Sequence, residues 1–212
     1  MNVLELFSGT ESFSKEARKR GFKCFTVDNE AKFNPSLVKS VMDLTPDDLP
    51  FKPDIVWASP PCNCFSVAII GKNWDKHGSR YYPKNQRTRD AVDLLKKTLA
   101  LVEELKPKYF ILENPRGMMR KMDFLEHLNR TMATYCQYGD TRQKPTDLWT
   151  NFYFKAKSCR PRASCHVSAP RGSRTGTQGL ANSKERAKVP PALCGAVLDK
   201  IQEKEVSNER KK

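Results

Sequence analysis

DIVWASPPCNCFSV (Asp54–Val67) decides how the rest of the chain is read. The β-branched and aromatic run from Asp54 to Ala58 has the composition of a buried strand. Ser59-Pro60-Pro61 stops it, because each proline fixes its own φ and restricts the residue before it. A cysteine, Cys62, follows at once, so a thiol is held on a stiff turn at the mouth of a strand. Taken alone, this is also what a rigid turn with a small buried thiol looks like. The surrounding elements separate the two.

Upstream, NVLEL (Asn2–Leu6) reads as a short apolar strand that ends in the small-residue turn FSGTES. A helix over Ser12–Arg20 follows, with Gly21 as its stop signal. KCFTV is a strand ending at Asp28, and LVKSVM is another ending at Asp43. Downstream, 63–85 reads as a polar, basic loop with Gly71, Gly78 and Pro83. Arg87–Leu105 carries apolar side chains at helical spacing, and KYFIL is a strand ending at Glu113-Asn114-Pro115. A helix from Met119 to about Thr131 and the strands MATYC and LWTNFYF complete the body. Strands alternating with helices predict an α/β fold with a doubly wound, mostly parallel sheet. Ligands of such sheets sit beyond the carboxyl ends of the strands, where Gly9, Asp28, Asp43, Cys62 and Glu113 all fall.

The 212 residues and 38% hydrophobic content suit one globular domain with a small appendage. No apolar run approaches the roughly 20 residues that span a bilayer. The amino terminus has no basic leader segment, so we expect a soluble, intracellular, cytoplasmic protein, with no membrane partner and acting as a monomer. Seven cysteines, an odd count outside a secretory context, favour metal or catalytic roles over a disulfide framework. The net charge of +14 is unevenly spread. Residues 1–71 hold eight Lys and Arg against nine Asp and Glu, and residues 98–154 hold eight against seven. Residues 72–97 hold eight against three, and residues 155–212 hold fourteen against five. A solvated surface would need no such concentration, which favours a polyanionic partner, nucleic acid.

LFSG, Val27-Asp28, Met42-Asp43, PPCNCFS and LENPRG, in this order and spacing, resemble the motifs of the cytosine-C5 DNA methyltransferases. YGDTRQK resembles the eighth motif of that family, and KVPPALCGAVLDKI loosely resembles its closing motif. The resemblance covers about residues 1–154, with a weaker match near 186–201. It implies a Rossmann-like methyltransferase fold, S-adenosyl-L-methionine as cofactor, and DNA as partner, with the target cytosine flipped out of the stack. Cys62 matches the nucleophile that adds to C6 of the base. Glu113 would hold the N3 and N4 edge and stabilise protonation at N3, with Asn114 fixing its loop. Arg142 and Lys144 are approximate counterparts of arginines directed at the cytosine O2, and Thr146 stands at the last position of that motif. On the cofactor side, Phe7 packs near the adenine and Gly9 allows close backbone approach. Asp28 matches the acid on the ribose hydroxyls, Asp43 the one near the adenine amine, and Pro60 the methionine end.

The chain departs from the pattern in two places. Glu11 or Ser12 stands where the first motif usually has a second glycine. Only some forty residues separate the eighth and closing motifs, where relatives carry a target-recognition domain. We therefore expect residues 1–154 to form the catalytic domain, 155–188 a short basic insert contacting DNA, and 189–212 a C-terminal helix completing the domain, with a frayed tail. Lys72 and Arg80, with Trp74 and Lys76, would close the 63–85 loop over the flipped base and the phosphates. Arg171 and Arg174 of APRGSRTGTQG would add phosphate contacts. Cys159, Cys165 and His166 in the insert, with Cys136 before it, suit tetrahedral zinc, although the spacing is irregular and scattered free cysteines are the alternative. Cys24, Cys64 and Cys194 read as packing residues. His77 and His127 read as surface residues. Rival readings are an enzyme with the same motifs acting on transfer RNA, an amino-group methyltransferase, and an inactive module that binds DNA and cofactor. The amino-group enzymes have an aromatic residue where this chain has Cys62.

Overall fold

Alternation along the first strand sets up the layers: Leu4 and Leu6 face one side of the sheet, Val3 the other, and all three are fully buried. The computed structural model describes residues 1–167 and 183–209. In chain order the elements are β1 (Asn2–Leu6), α1 (Ser12–Lys19), β2 (Lys23–Asp28), β3 (Leu37–Val38) and β4 (Ile55–Ala58). They continue with α2 (Ile70–Asn73), β5 (Trp74–His77), β6 (Arg80–Pro83), α3 (Gln86–Leu105) and β7 (Tyr109–Pro115). The last are β8 (Asn129–Thr134), β9 (Pro145–Thr150), α4 (Ser183–Ala187) and α5 (Pro191–Glu209).

Seven strands form one sheet in the order β3-β2-β1-β4-β7-β9-β8, and β5-β6 is a separate hairpin. The first five pair in parallel, while β9 runs antiparallel to both β7 and β8. Helices cover both faces. Leu95, Leu101, Val102 and Leu105 of α3 pack with Leu4, Leu6, Val56, Phe110 and Leu112 on one side. Phe13 and Ala17 of α1, with Leu193, Val197, Leu198 and Ile201 of α5, pack with Val3, Ile55, Trp57 and Ile111 on the other. This is the doubly wound, mostly parallel α/β fold expected of the sequence. Among the described residues no helix is long and apolar enough to cross a membrane.

Several element assignments need correction. LVKSVM is not a strand up to Asp43: only Leu37–Val38 pairs with β2, and the chain turns at once through Ser40–Asp43. The helix expected over 119–131 is two 3-10 turns, Met118–Lys121 and Asp123–Leu125, followed by β8. Here the chance to extend the sheet beside β9 wins over local helical spacing. MATYC leaves the sheet at Thr134 for a 3-10 turn, Tyr135–Tyr138, and the last strand starts earlier and stops at Thr150. The tail expected to fray stays helical through Glu209, tied by ion pairs of Asp199 to Arg20 and Glu205 to Lys108.

The largest correction lies in the polar loop, which folds into α2 and the β5-β6 hairpin. Trp74, expected in the closing loop, is instead packed in the core at 3% exposed, with Nε1 donating to Cys64 O at 2.7 Å and its ring 5.9 Å from Phe65. The indole thereby docks the hairpin on the segment that follows Cys62. Trp74→Ala should therefore cost about 3–5 kcal/mol, the range for emptying a large aromatic site. Urea unfolding followed by circular dichroism measures that loss.

Candidate active site

Parallel pairing of β4 with β7 puts Ala58 opposite Leu112, so the Ser59–Cys62 turn emerges beside Glu113-Asn114. Asn114 is 1% exposed and donates from Nδ2 to Pro60 O at 2.8 Å, which ties the two strand ends together. Backbone N–H groups of Phe65 and Ser66 both donate to Cys62 O at 3.0 Å, closing a tight turn behind the thiol. That turn is pressed against the end of the ENPRG segment. Met118 N–H donates to Phe65 O at 2.7 Å, and a Cβ on Gly117 would lie 2.1 Å from Phe65 O. Gly117 is extended, so its role is close approach and not a left-handed turn.

Three ionisable groups meet at this edge. Burial raises the Glu113 carboxyl above its ordinary range, opposed by Lys144 and by hydrogen bonds from Ser59 and Tyr135. The Tyr135 hydroxyl donates to Glu113 Oε1 at 3.1 Å. Burial also raises the half-buried Cys62 thiol, and Glu113 adds to that, while Lys144 and Arg186 pull it down. Lys144 is itself buried, which lowers its ammonium, while Glu113 raises it. Its Nζ lies 4.5 Å from the centre of the Tyr135 ring and donates to Arg186 O at 2.7 Å. Arg142 takes a different position from Lys144. It forms a close ion pair with Asp140 and donates to the carbonyls of Glu185 and Arg186 at 3.3 and 3.4 Å. Both cations therefore grip the backbone of α4, and Thr146 is buried with its hydroxyl on Lys144 O.

A second group gathers at the ends of β1 and β2. Phe7, Gly9 and Glu11 all have φ near +50°, so the turn after β1 coils tightly into α1. Gly9 N–H donates to Asp28 Oδ2 at 2.8 Å, and Glu30 N–H donates to Oδ1 at 2.9 Å. Asp28 is nearly buried, and Ser8 Oγ is buried with no partner among the described residues. A cavity of about 50 Å³ opens here, lined by Phe7, Asp28, Lys39, Val41, Pro61 and Leu94. Of the residues expected there, Phe7 and Asp28 line it and Gly9 borders it. Asp43 is exposed on the next turn, and Pro60 is buried with only its carbonyl engaged, so Pro61 takes the lining position.

Glu5 was not expected to matter. It is buried in β1 and accepts the N–H groups of Phe13 and Ser14 at 3.2 and 2.8 Å, capping α1, with its carboxyl pushed up to about 7 by burial. Its signal was an acid inside the apolar run NVLEL. Ser59, Gly117 and Tyr135 were also missed. Lys72 and Arg80 are exposed on and beside the hairpin, whereas Arg171 and Arg174 lie outside the described residues. Cys136, Cys159, Cys165 and His166 come together in one cluster. Cys64 and Cys194 are buried and Cys24 half-buried, and His77 and His127 are exposed, as the sequence indicates.

Residues 1–139 match the model of a family described as C-5 cytosine-specific DNA methylase. The chain is 33% identical, over 94% of its length and 99% of the relative's, to a Frog virus 3 (isolate Goorha) protein named "Probable DNA (cytosine-5)-methyltransferase". Among solved structures it is similar to the Entamoeba histolytica methyltransferase EhMeth, with a TM-score of 0.52 and 14% identity, covering 76% of this chain and 57% of that one. It is also similar to the Schizosaccharomyces pombe Dnmt2 methyltransferase, with a TM-score of 0.48 and 16% identity, covering 74% of this chain and 51% of that one. The chain thus spans about half the length of these solved structures.

Two outcomes follow from the geometry around Cys62. Alkylation by iodoacetamide should titrate with a midpoint above the ordinary thiol value of 9.0, because burial and Glu113 both disfavour the thiolate. Lys144→Met removes the cation that most favours the thiolate, at similar volume, and should move that midpoint higher still, so an unchanged or lower midpoint would refute the coupling. Gly117→Ala should destabilise the fold by about 1–3 kcal/mol, as overpacking does. In thermal unfolding it should melt earlier than Gly71→Ala, where a Cβ meets nothing within 4 Å and φ is not positive.

Proposed function

The chain belongs to the C-5 cytosine-specific DNA methylase family, and from that premise we propose that it transfers a methyl group from S-adenosylmethionine to C5 of a flipped cytosine in DNA through a covalent Cys62 adduct. The observation that carries this reading is the clamped pair of strand ends, with Cys62 and Glu113 side by side and Asn114 bonded to Pro60 O. Cytosine is unreactive at C5 until a nucleophile adds at C6, so the reaction needs a thiolate and an acid fixed together. Those two groups must reach different edges of one ring, and a duplex hides both edges, which is why the base has to leave the stack.

Cys62 Sγ forms a bond to C6, and the electron pair displaced in the ring is taken up as N3 accepts a proton from Glu113. Burial raises the Glu113 carboxyl, which favours the protonated form that this step uses. Lys144 favours the Cys62 thiolate, against the opposing influence of Glu113. C5 is then the nucleophile. S-adenosylmethionine, when bound, supplies the electrophilic methyl group. Loss of the C5 proton to water, cleavage of the Sγ–C6 bond and return of the N3 proton to Glu113 restore the aromatic ring, the Cys62 thiolate and the acid.

The residues around the β1 and β2 ends suit a nucleoside cofactor. Asp28 presents a fixed carboxylate whose remaining lone pairs can accept hydroxyl groups, and Phe7, Val41, Pro61 and Leu94 offer apolar faces. The unpartnered Ser8 hydroxyl in the turn is a further polar group free for such a ligand. Lys72 and Arg80 are candidates for phosphate contacts from the hairpin side, and Arg171 and Arg174 from the basic insert.

Incubation with S-adenosylmethionine labelled in its methyl group, on duplex DNA and on transfer RNA in parallel, tests the proposal. Label should enter DNA at C5 of cytosine, Cys62→Ser should lower turnover by at least about 10³-fold while cofactor binding persists, and 5-fluorocytosine DNA should trap wild-type protein covalently. Transfer to RNA alone would replace the substrate, and full turnover by Cys62→Ser would remove the mechanism.

A further inference from the structure

We propose that Cys136, Cys159, Cys165 and His166 form a structural zinc site that braces the segment carrying Tyr135, Arg142 and Lys144. The proposal stands independently of the methyl-transfer reading. Sγ of Cys136 lies 3.2 Å from Sγ of Cys159, and Sγ of Cys165 lies 3.7 Å from Sγ of Cys136. Nδ1 of His166 is 3.6 Å from the sulfurs of both Cys159 and Cys165. All four candidate ligand atoms fall within 4.8 Å of one another. Zinc with Zn–S bonds of about 2.3 Å holds its tetrahedral sulfurs roughly 3.8 Å apart, so these four atoms already sit close to the corners such an ion needs.

The surroundings also favour a bound thiolate set. Gln137 Nε2 donates to Cys165 Sγ at 3.4 Å and Gln143 Nε2 donates to Cys159 Sγ at 3.5 Å. Amide donors aimed at sulfur stabilise its anionic, metal-bound form and orient it, as outer-shell partners of metal sites do. Cys159 N–H is fixed on Thr134 Oγ1 at 2.8 Å, which seats its side chain at the end of β8. Residues 155–167 contain no helix or strand and reach the body mainly through isolated bonds such as Lys157 N–H to the Tyr138 hydroxyl and Val167 N–H to Thr141 O. A segment with so little internal structure gains most from a metal.

The brace has a destination. Cys136 is adjacent to Tyr135, which holds Glu113, and Gln143 lies between Arg142 and Lys144, which hold the backbone of α4. An ion at the cluster thus fixes both ends of the 135–144 arm against the 155–167 extension.

Elemental analysis of the full-length protein purified without chelator should find about one zinc per chain, the stoichiometry of a closed four-ligand site. Cys165→Ala, at an exposed position that should not impair folding, should lose the metal. Cobalt added to demetallated wild-type protein should give the absorption of a tetrahedral thiolate site, and His166→Cys should keep the metal with a spectrum shifted towards four thiolates. Chelation should expose 155–167 to proteolysis. Wild-type protein with neither zinc nor a cobalt spectrum would overturn the site. A Cys136–Cys159 disulfide found in protein prepared under reductant would overturn it as well.

Discussion

The side-by-side emergence of β4 and β7 from the sheet is the constraint on which the site depends. Ala58 and Leu112 are paired, so the two chain segments that follow must diverge from points a single strand spacing apart. The Asn114 bond to Pro60 O prevents that divergence at the first step, and contact between Gly117 and Phe65 prevents it a few residues later. Cys62 sits between these two fixings on one arm, and Glu113 directly precedes the first of them on the other. Pro60 and Pro61 stiffen one arm, and Glu113, Asn114 and Pro115 remain in the ladder with β9 on the other. The thiol and the carboxyl are thus placed by backbone, which leaves little for side-chain rotation to decide.

Placement on backbone is also what made the candidate site legible in the sequence. Strands ending at Leu6, Asp28, Ala58 and Pro115 follow from apolar runs cut off by Gly, Asp or Pro, and their carboxyl ends share one edge once the sheet is parallel. Asp43 was misread because Val41 is apolar for a different reason: it packs in the core from a turn, not from a strand. Trp74 was misread because its charged neighbours describe the outer face of the hairpin, while the indole faces inward onto Cys64. Residues 129–131 read as helix because strand formation there depends on β9, which begins eleven residues after β8 ends, and no local pattern records that partner. Tyr135 and Gly117 act through contacts with segments remote in the chain, and the same holds for the four residues of the Cys-His cluster, whose irregular spacing conceals how closely the fold gathers them.

The electrostatics of the edge are in tension, and the tension explains why so much of the chain after β7 is recruited to it. A buried carboxyl beside a thiol raises that thiol, which works against forming a thiolate. A cation is the remedy, but a buried ammonium beside no anion would itself lose its proton. Lys144 satisfies both conditions by lying between Glu113, the Tyr135 ring and the Arg186 carbonyl, so that each partner offsets part of its desolvation. One of those partners is supplied by the 3-10 turn after β8 and another by α4, close to the C-terminal helix.

The last part of the chain thus contacts the candidate site as well as packing on the far face of the sheet. α5 lies against α1 through Leu193, Val197 and Leu198, and α1 is capped by the buried Glu5, whose strand leads directly into the Gly9 turn. α4 receives Arg142 and Lys144 on its backbone. One short stretch, 185–191, thus meets the Lys144 arm on one side and, through Val189 N–H on Ser12 Oγ at 3.2 Å, the start of α1 on the other.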